Sequence, residues 1–215
     1  MPQVRIALIH ALTHSIAPIN SAFERLWPDA KRQHLLDDSL SADLAAKGGT
    51  LDEAMHKRFT TLADYAVING AQAILFTCSA FGSCIERVAG QHAIIPVLKP
   101  NEAMIAEAVA TGQQVGLIAS FAPTLVSMPP EFPSDAQPLC ALVAEAMTAL
   151  NAGDMALHDQ QVVAAARRLK AQGASVIALA QFSMARARDA VAVATGLPVF
   201  TTPDSAIRLL KAKLS

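Results

Sequence analysis

AILFTCSAFG, residues 73–82, decides how the rest of the chain is read. An apolar run reaches Thr77 and stops at Cys78, and small residues lead into GSCIERVAG (82–90). A short apolar run bounded by small polar residues reads as a buried strand, and the spacing beyond it as a helix. Cys78 therefore falls after a strand and before a helix.

Outward from there, strand and helix alternate. VRIALI (4–9) is a branched run and reads as a strand, and SIAPINSAFERLW (15–27) has helical spacing with Ser15 as a candidate N-cap. QHLLDD (33–38) reads as a second strand. The helix that follows is the most strongly periodic, with Leu51, Met55, Phe59, Leu62 and Ala66 on one face. Thr50 and Glu53 suggest a capping box at its start, and Gly70 stops it. A fourth strand spans 94–99 and a helix 101–112.

The same order then starts again. QVGLIAS (114–120) repeats the look of the first strand, and 138–147 sits where a second strand belongs. A long amphipathic helix (156–173), the strand SVIALA (175–180), a helix (184–196), a strand (197–202) and a last helix follow. The distance from Ile9 to Cys78 nearly matches that from Ile118 to Gln181, and both halves close alike, PVLKPNEA against PVFTTPDSA. A series of matched spacings indicates an internal repeat. The expected fold is α/β, with two pseudosymmetric halves, each a four-stranded parallel sheet flanked by helices. Residues 1–98 are expected to form most of one lobe, and 99–203 the other. Ligands gather at the carboxyl ends of parallel strands, so one active site between the halves is expected.

Composition narrows the function. The 215 residues are 53% hydrophobic but only 5% aromatic, and the net charge is -1 with no basic run, which removes the electrostatic footprint of a nucleic-acid binder. No apolar run reaches the ~20 residues a membrane span needs, and the start lacks the pattern of a signal peptide. A cytoplasmic protein is expected. Cys78, Cys84 and Cys140 are too few for a disulfide framework, and their spacing is not that of a zinc site. Cys84 reads as helix packing and Cys140 as strand core.

The candidate site residues follow the strands. Cys78, ahead of a helix N-terminus, is expected to carry a lowered thiol pKa and to act as the reactive group. His10 could be a second base or could hold Cys78 as a thiolate, and His14 is a weaker candidate. Thr77, Ser79, Ser120 and Thr124 are hydroxyl donors for an anionic intermediate, with Gln181 and Ser183 completing the substrate contacts. Asp37 and Asp38 fit either a substrate ammonium or an ordinary turn. His34, His56, His92 and His158 receive no role, and Arg186 and Arg188 read as a solvated helix face.

AILFTCSAFG with its repeat-matched counterpart VIALAQFSMA resembles the paired cysteine motifs of the aspartate/glutamate/hydantoin racemase superfamily, over nearly the whole chain. The resemblance implies two α/β halves around one site, a last helix (204–215) that returns to the first lobe, a small carboxylate substrate, no metal or organic cofactor, and commonly a homodimer. It also exposes two departures. Gln181 stands where the second cysteine is expected, and Ser79-Ala80 replaces the family's Asn-Thr pair. The resemblance implies an amino-acid racemase or related isomerase working by proton transfer at the carbon next to a carboxylate. The alternatives are a single-cysteine decarboxylase resembling arylmalonate decarboxylase, and a non-catalytic binder of small acids.

Overall fold

The structure is a computed structural model and describes residues 3–214. Met1, Pro2 and Ser215, the last of which the sequence places in the closing helix, lie outside the described residues. The chain divides into two compact units, one running to Pro100 and taking in the chain from Ala206 onward, the other spanning Asn101–Ser205.

The first unit contains β1 (Arg5–His10), α1 (Ile16–Leu26), β2 (Lys31–Leu36), α2 (Ser39–Ala46), α3 (Glu53–Ile68), β3 (Ala73–Phe76), α4 (Gly82–Gln91) and β4 (Val97–Leu98). Its four strands are parallel, in the order β2-β1-β3-β4. Side chains alternate across the sheet. Ala7, Ile9 and Ala11 point to one face and pack with Met55, Phe59, Ala63, Phe76 and Phe81. Ile6, Leu8 and His10 point to the other. Three aromatic rings tie that core together: Phe59 lies 5.3 Å from Phe76 and 4.9 Å from Phe81.

The second unit contains α5 (Glu102–Val109), β5 (Val115–Ala119), α6 (Ala122–Ser127), β6 (Leu139–Leu142), α7 (Ala144–Asn151), α8 (Met155–Ala171), β7 (Val176–Leu179), α9 (Arg188–Thr195) and β8 (Val199–Thr201). The sheet order is β6-β5-β7-β8, again all parallel, so it repeats the order of the first. The last helix, α10 (Thr202–Leu214), starts in the second unit, and its residues from Ala206 count with the first.

Several local expectations are corrected. The cap of α3 is Asp52, whose carboxylate accepts from the Met55 N–H at 2.9 Å, and not Thr50. Asp154 caps α8 in the same way, accepting from Leu157. The stretch 138–147 is a short strand followed by a helix, and α2 has no counterpart in the sequence reading. Cys140 is exposed, not core, because β6 is an edge strand and alternate residues of it face outward. Cys84 is fully buried, and burial pushes its thiol up to about 11.

Gly116 on β5 shows how closely the second sheet meets its helix. A Cβ there would stand 3.0 Å from Cβ of Ala174 and 3.2 Å from Cβ of Leu169, with Ile177 Cδ1 at 3.1 Å. Two of those atoms are anchored directly to backbone and cannot swing away. Gly116→Ala is expected to destabilise the second unit by ~1–3 kcal/mol through overpacking, read as a lower urea midpoint at unchanged slope.

Candidate active site

The carboxyl end of β3 is built by backbone register. Thr77 N–H donates to the Ile9 carbonyl at 3.0 Å, which fixes the first residue beyond the strand beside the end of β1. Cys78 follows in extended conformation (φ -126°, ψ 123°) and leads a 3-10 turn over Ser79–Phe81, with α4 starting at Gly82. Phe81 is fully buried against Phe59 and anchors this turn in the core. From the neighbouring helix, Ser83 Oγ lies 3.3 Å from His56 Nε2.

Cys78 sits at the rim of that core and keeps exposed surface. Its thiol is raised, not lowered. Burial is the larger cause, and the hydrogen bond from the Ala80 backbone N–H pulls the other way without prevailing. The expected dipole effect is weak for a structural reason. A three-residue 3-10 turn separates the sulfur from the first α-helical residue, and the helix-end effect fades within a turn.

His10 is fully buried. Its Nδ1 is 2.9 Å from Thr77 Oγ1 and its Nε2 is 3.0 Å from Nδ1 of His34, whose own Nε2 is 3.2 Å from Oδ1 of Asn20. The two imidazole planes differ by 16°. Desolvation, and then the neighbouring His34, lower His10 to about 4. Desolvation also lowers His34, helped by the charge of Arg32. His10 is therefore a neutral imidazole at pH 7 with both nitrogens engaged. Sequence reasoning assigned His34 nothing, because only the β1–β2 register brings it to the same sheet face as His10.

Asp37 is committed within the protein. Its carboxylate accepts from Arg58 at 2.6 Å and from the Ser39 hydroxyl at 2.7 Å. Burial would raise this carboxyl, but the Arg58 and Ser39 hydrogen bonds together hold it below its ordinary value. Arg58 also binds Asp43, so this cluster ties α2 to α3.

In the second unit the same register recurs. Ala180 N–H donates to the Ile118 carbonyl at 2.9 Å, as Thr77 does to Ile9. Gln181 is therefore the counterpart of Cys78 by hydrogen-bond register as well as by spacing. It is extended too (φ -133°, ψ 146°) and leads the 3-10 turn Phe182–Ala187. Its Oε1 accepts from the Ser120 N–H at 2.6 Å and the Ser120 hydroxyl at 2.8 Å. Both Ser120 donors are thereby spent on Gln181, and the amide nitrogen is the donor end that Gln181 retains. Thr124 lies on α6 and Ser183 in the 3-10 turn, and both are buried.

Arg186 and Arg188 are not a merely solvated face. Arg186 pairs with Asp159 at 2.8 and 3.0 Å, and Arg188 with Asp204 at 2.9 Å. Arg186 stands as far beyond Gln181 as Ser83 does beyond Cys78. In each unit the start of the long helix, α3 or α8, thus contacts the corresponding residue beyond the key position, Ser83 in α4 or Arg186 in the 3-10 turn. His14 belongs to the first unit and is half-buried.

A cleft of about 620 Å³ opens elsewhere, at the amino ends of β1 and β2, lined by Arg5, Lys31, Arg32, Gln33 and Asn69 among others. It contains none of the candidate residues. Among the described residues, no group of three His, Cys, Asp or Glu could hold a metal ion, and no helix is long and apolar enough to cross a membrane.

Two sheets of this order, with Cys78 and Gln181 at matched strand ends, define an α/β protein of racemase type. Residues 17–210 match the Asp/Glu/Hydantoin racemase family, and the chain belongs to it. Solved structures share the fold. An aspartate racemase homologue from Pyrococcus horikoshii OT3 superposes with a TM-score of 0.74 at 12% identity, covering 97% of each chain. Allantoin racemase from Klebsiella pneumoniae gives 0.67 at 16%, covering 99% of this chain and 88% of the other. Unliganded arylmalonate decarboxylase gives 0.69 at 14%, covering 99% and 93%. No curated protein matches the chain by sequence.

Proposed function

We propose that the protein is a cofactor-independent enzyme that delivers a proton to one face of the carbon next to a carboxylate, with Cys78 as the acid. The observation that carries this reading is Gln181. It stands at the register counterpart of Cys78, holds Ser120, and its amide is neither an acid nor a base at neutral pH. A two-base racemase needs a second acid or base, and His10 is a poor one, being buried, doubly engaged and lowered to about 4.

A raised thiol suits the acid role, since it is protonated at pH 7. In a decarboxylation, the carboxylate leaves as carbon dioxide and its bonding pair becomes an enediolate. The Cys78 S–H then gives its proton to carbon, and the thiolate recovers one from water. The Gln181 amide N–H and the backbone N–H groups of the turn after Cys78 are the donors for the enediolate oxygens. The substrate on this reading is a small carboxylate held at the strand end that Cys78 follows.

The test is turnover in heavy water over a panel of substituted malonates, amino acids, hydroxy acids and hydantoins, with chiral analysis of products. One-faced chemistry predicts a single product enantiomer carrying one deuterium at the new C–H bond. Racemic product, or exchange from both enantiomers of an acid, would replace this reading by the two-base racemase. Saturable binding without turnover would leave a small-acid binder.

A further inference from the structure

The polar chain behind Thr77 has a direction, and that direction constrains what the site holds. Asn20 presents its amide oxygen to His34, so His34 Nε2 is the N–H end and its Nδ1 is a lone pair. A lone pair at His34 Nδ1 requires the proton of His10 on Nε2, 3.0 Å away. His10 Nδ1 is then an acceptor too, and the only proton that fits the 2.9 Å contact is that of the Thr77 hydroxyl. The near-coplanar rings, 16° apart, suit an in-plane N–H···N bond. The alternative carbonyl for Thr77, that of Ile9, is at 3.4 Å and already accepts the Thr77 N–H.

The surroundings keep both imidazoles neutral. Arg32, on β2 beside His34, donates to the Asn20 backbone carbonyl at 3.3 Å and lies across the Phe23 ring. Its distant partner Glu24 is 3.8 Å away and itself largely exposed. Among the described residues no carboxylate is bonded to either imidazole, so neither is drawn into the charged form.

Resting on the reading of Cys78 as the acid, we propose that His10 is a positioning residue. His10, His34 and Asn20 together turn the Thr77 hydroxyl proton inward, so that Thr77 Oγ1 meets the substrate only as an acceptor. This removes Thr77 from the oxyanion donors expected from sequence. It also assigns a substrate class. The group held at Thr77, one residue before the acid, carries an N–H or O–H, as an amino or hydroxy acid does and a plain alkyl acid does not.

Nitrogen-detected NMR of the free protein at pH 7 tests the direction without any substrate. Both His10 and His34 are expected as Nε2–H tautomers, with His10 uncharged down to about pH 5. His10 as the Nδ1–H tautomer, or titrating near 6.5, overturns the proposal whatever the enzyme does. Asn20→Asp puts a carboxylate on His34 Nε2 and should raise the His34 pKa, sending an Nδ1–H towards His10, whereas His34→Ala should release His10 from its fixed tautomer. In the turnover assay, Thr77→Val should raise KM for a donor-bearing substrate by about tenfold with a smaller change in kcat, and Thr77→Ser should restore it. An unchanged KM in Thr77→Val would also overturn it. Absence of all turnover with the expected tautomers in place counts against the acid reading of Cys78, not against the polarity of the chain.

Discussion

Cys78→Ala is expected to lower turnover by about 10³-fold or more, while Cys84→Ala and Cys140→Ala leave it within a few fold. A positioned general acid contributes typically ~10²–10⁴-fold, and the described residues offer no other thiol at a strand end. Cys84→Ala removes a fully buried sulfur from the first core, so its cost, about 1 kcal/mol, should appear in melting temperature and not in rate. Cys140→Ala alters an exposed edge-strand residue and should be silent in both measurements. Alkylation gives the pH side of the same result. Burial raises the Cys78 thiol, so carboxamidomethylation of the free protein should be slow at pH 7 and gain speed only above the ordinary thiol range. An acid with that behaviour works at neutral pH and fails as it ionises. A midpoint below 8 would return Cys78 to the role of thiolate base, and turnover surviving in Cys78→Ala would remove it from the mechanism.

What the sequence carried was spacing. AILFT and SVIALA are short apolar runs whose length and small polar flanks read as buried strands, and the matched distances around them expose the repeat. Cys78 was legible for the same reason, since its place depends only on where a strand ends. Features set by more than one segment were not legible. His34 matters through its register against β1 and its contact with Asn20 on α1, and neither is local in sequence. Thr50 and Asp52 are both good caps two residues apart, and the helix start chose the second. Cys140 was misjudged because an edge strand and a central strand of similar composition look alike until the sheet order is known. The thiol of Cys78 departs from the expected direction first because burial outweighs the hydrogen bond from Ala80, and then because one 3-10 turn, invisible in the composition of SAF, displaces the helix end from the sulfur.

Gln181→Cys is the sharpest test of the repeat as chemistry, and it should turn a one-faced enzyme into a two-faced one. Residue 181 already has the backbone of residue 78, extended and leading a 3-10 turn, with the preceding N–H bonded to the matching strand carbonyl. A thiol there needs no rearrangement of main chain to stand at its strand end as Cys78 does. If the two strand ends address opposite faces of one substrate, the product changes from a single enantiomer to a mixture, and a chiral acid exchanges its α-hydrogen from both hands. Combining Gln181→Cys with Cys78→Ala should then invert the product's hand, an outcome that no general loosening of the site produces. The substitution has a structural cost, because Ser120 loses the amide oxygen that accepts both its N–H and its hydroxyl. That amounts to ~1–3 kcal/mol if water does not replace the oxygen, and a thermal melt separates it from any change in rate. Product of unchanged hand from a folded Gln181→Cys protein would mean that the second strand end never reaches the reacting carbon. The register match between the units would then be a relic of the fold and not part of the chemistry.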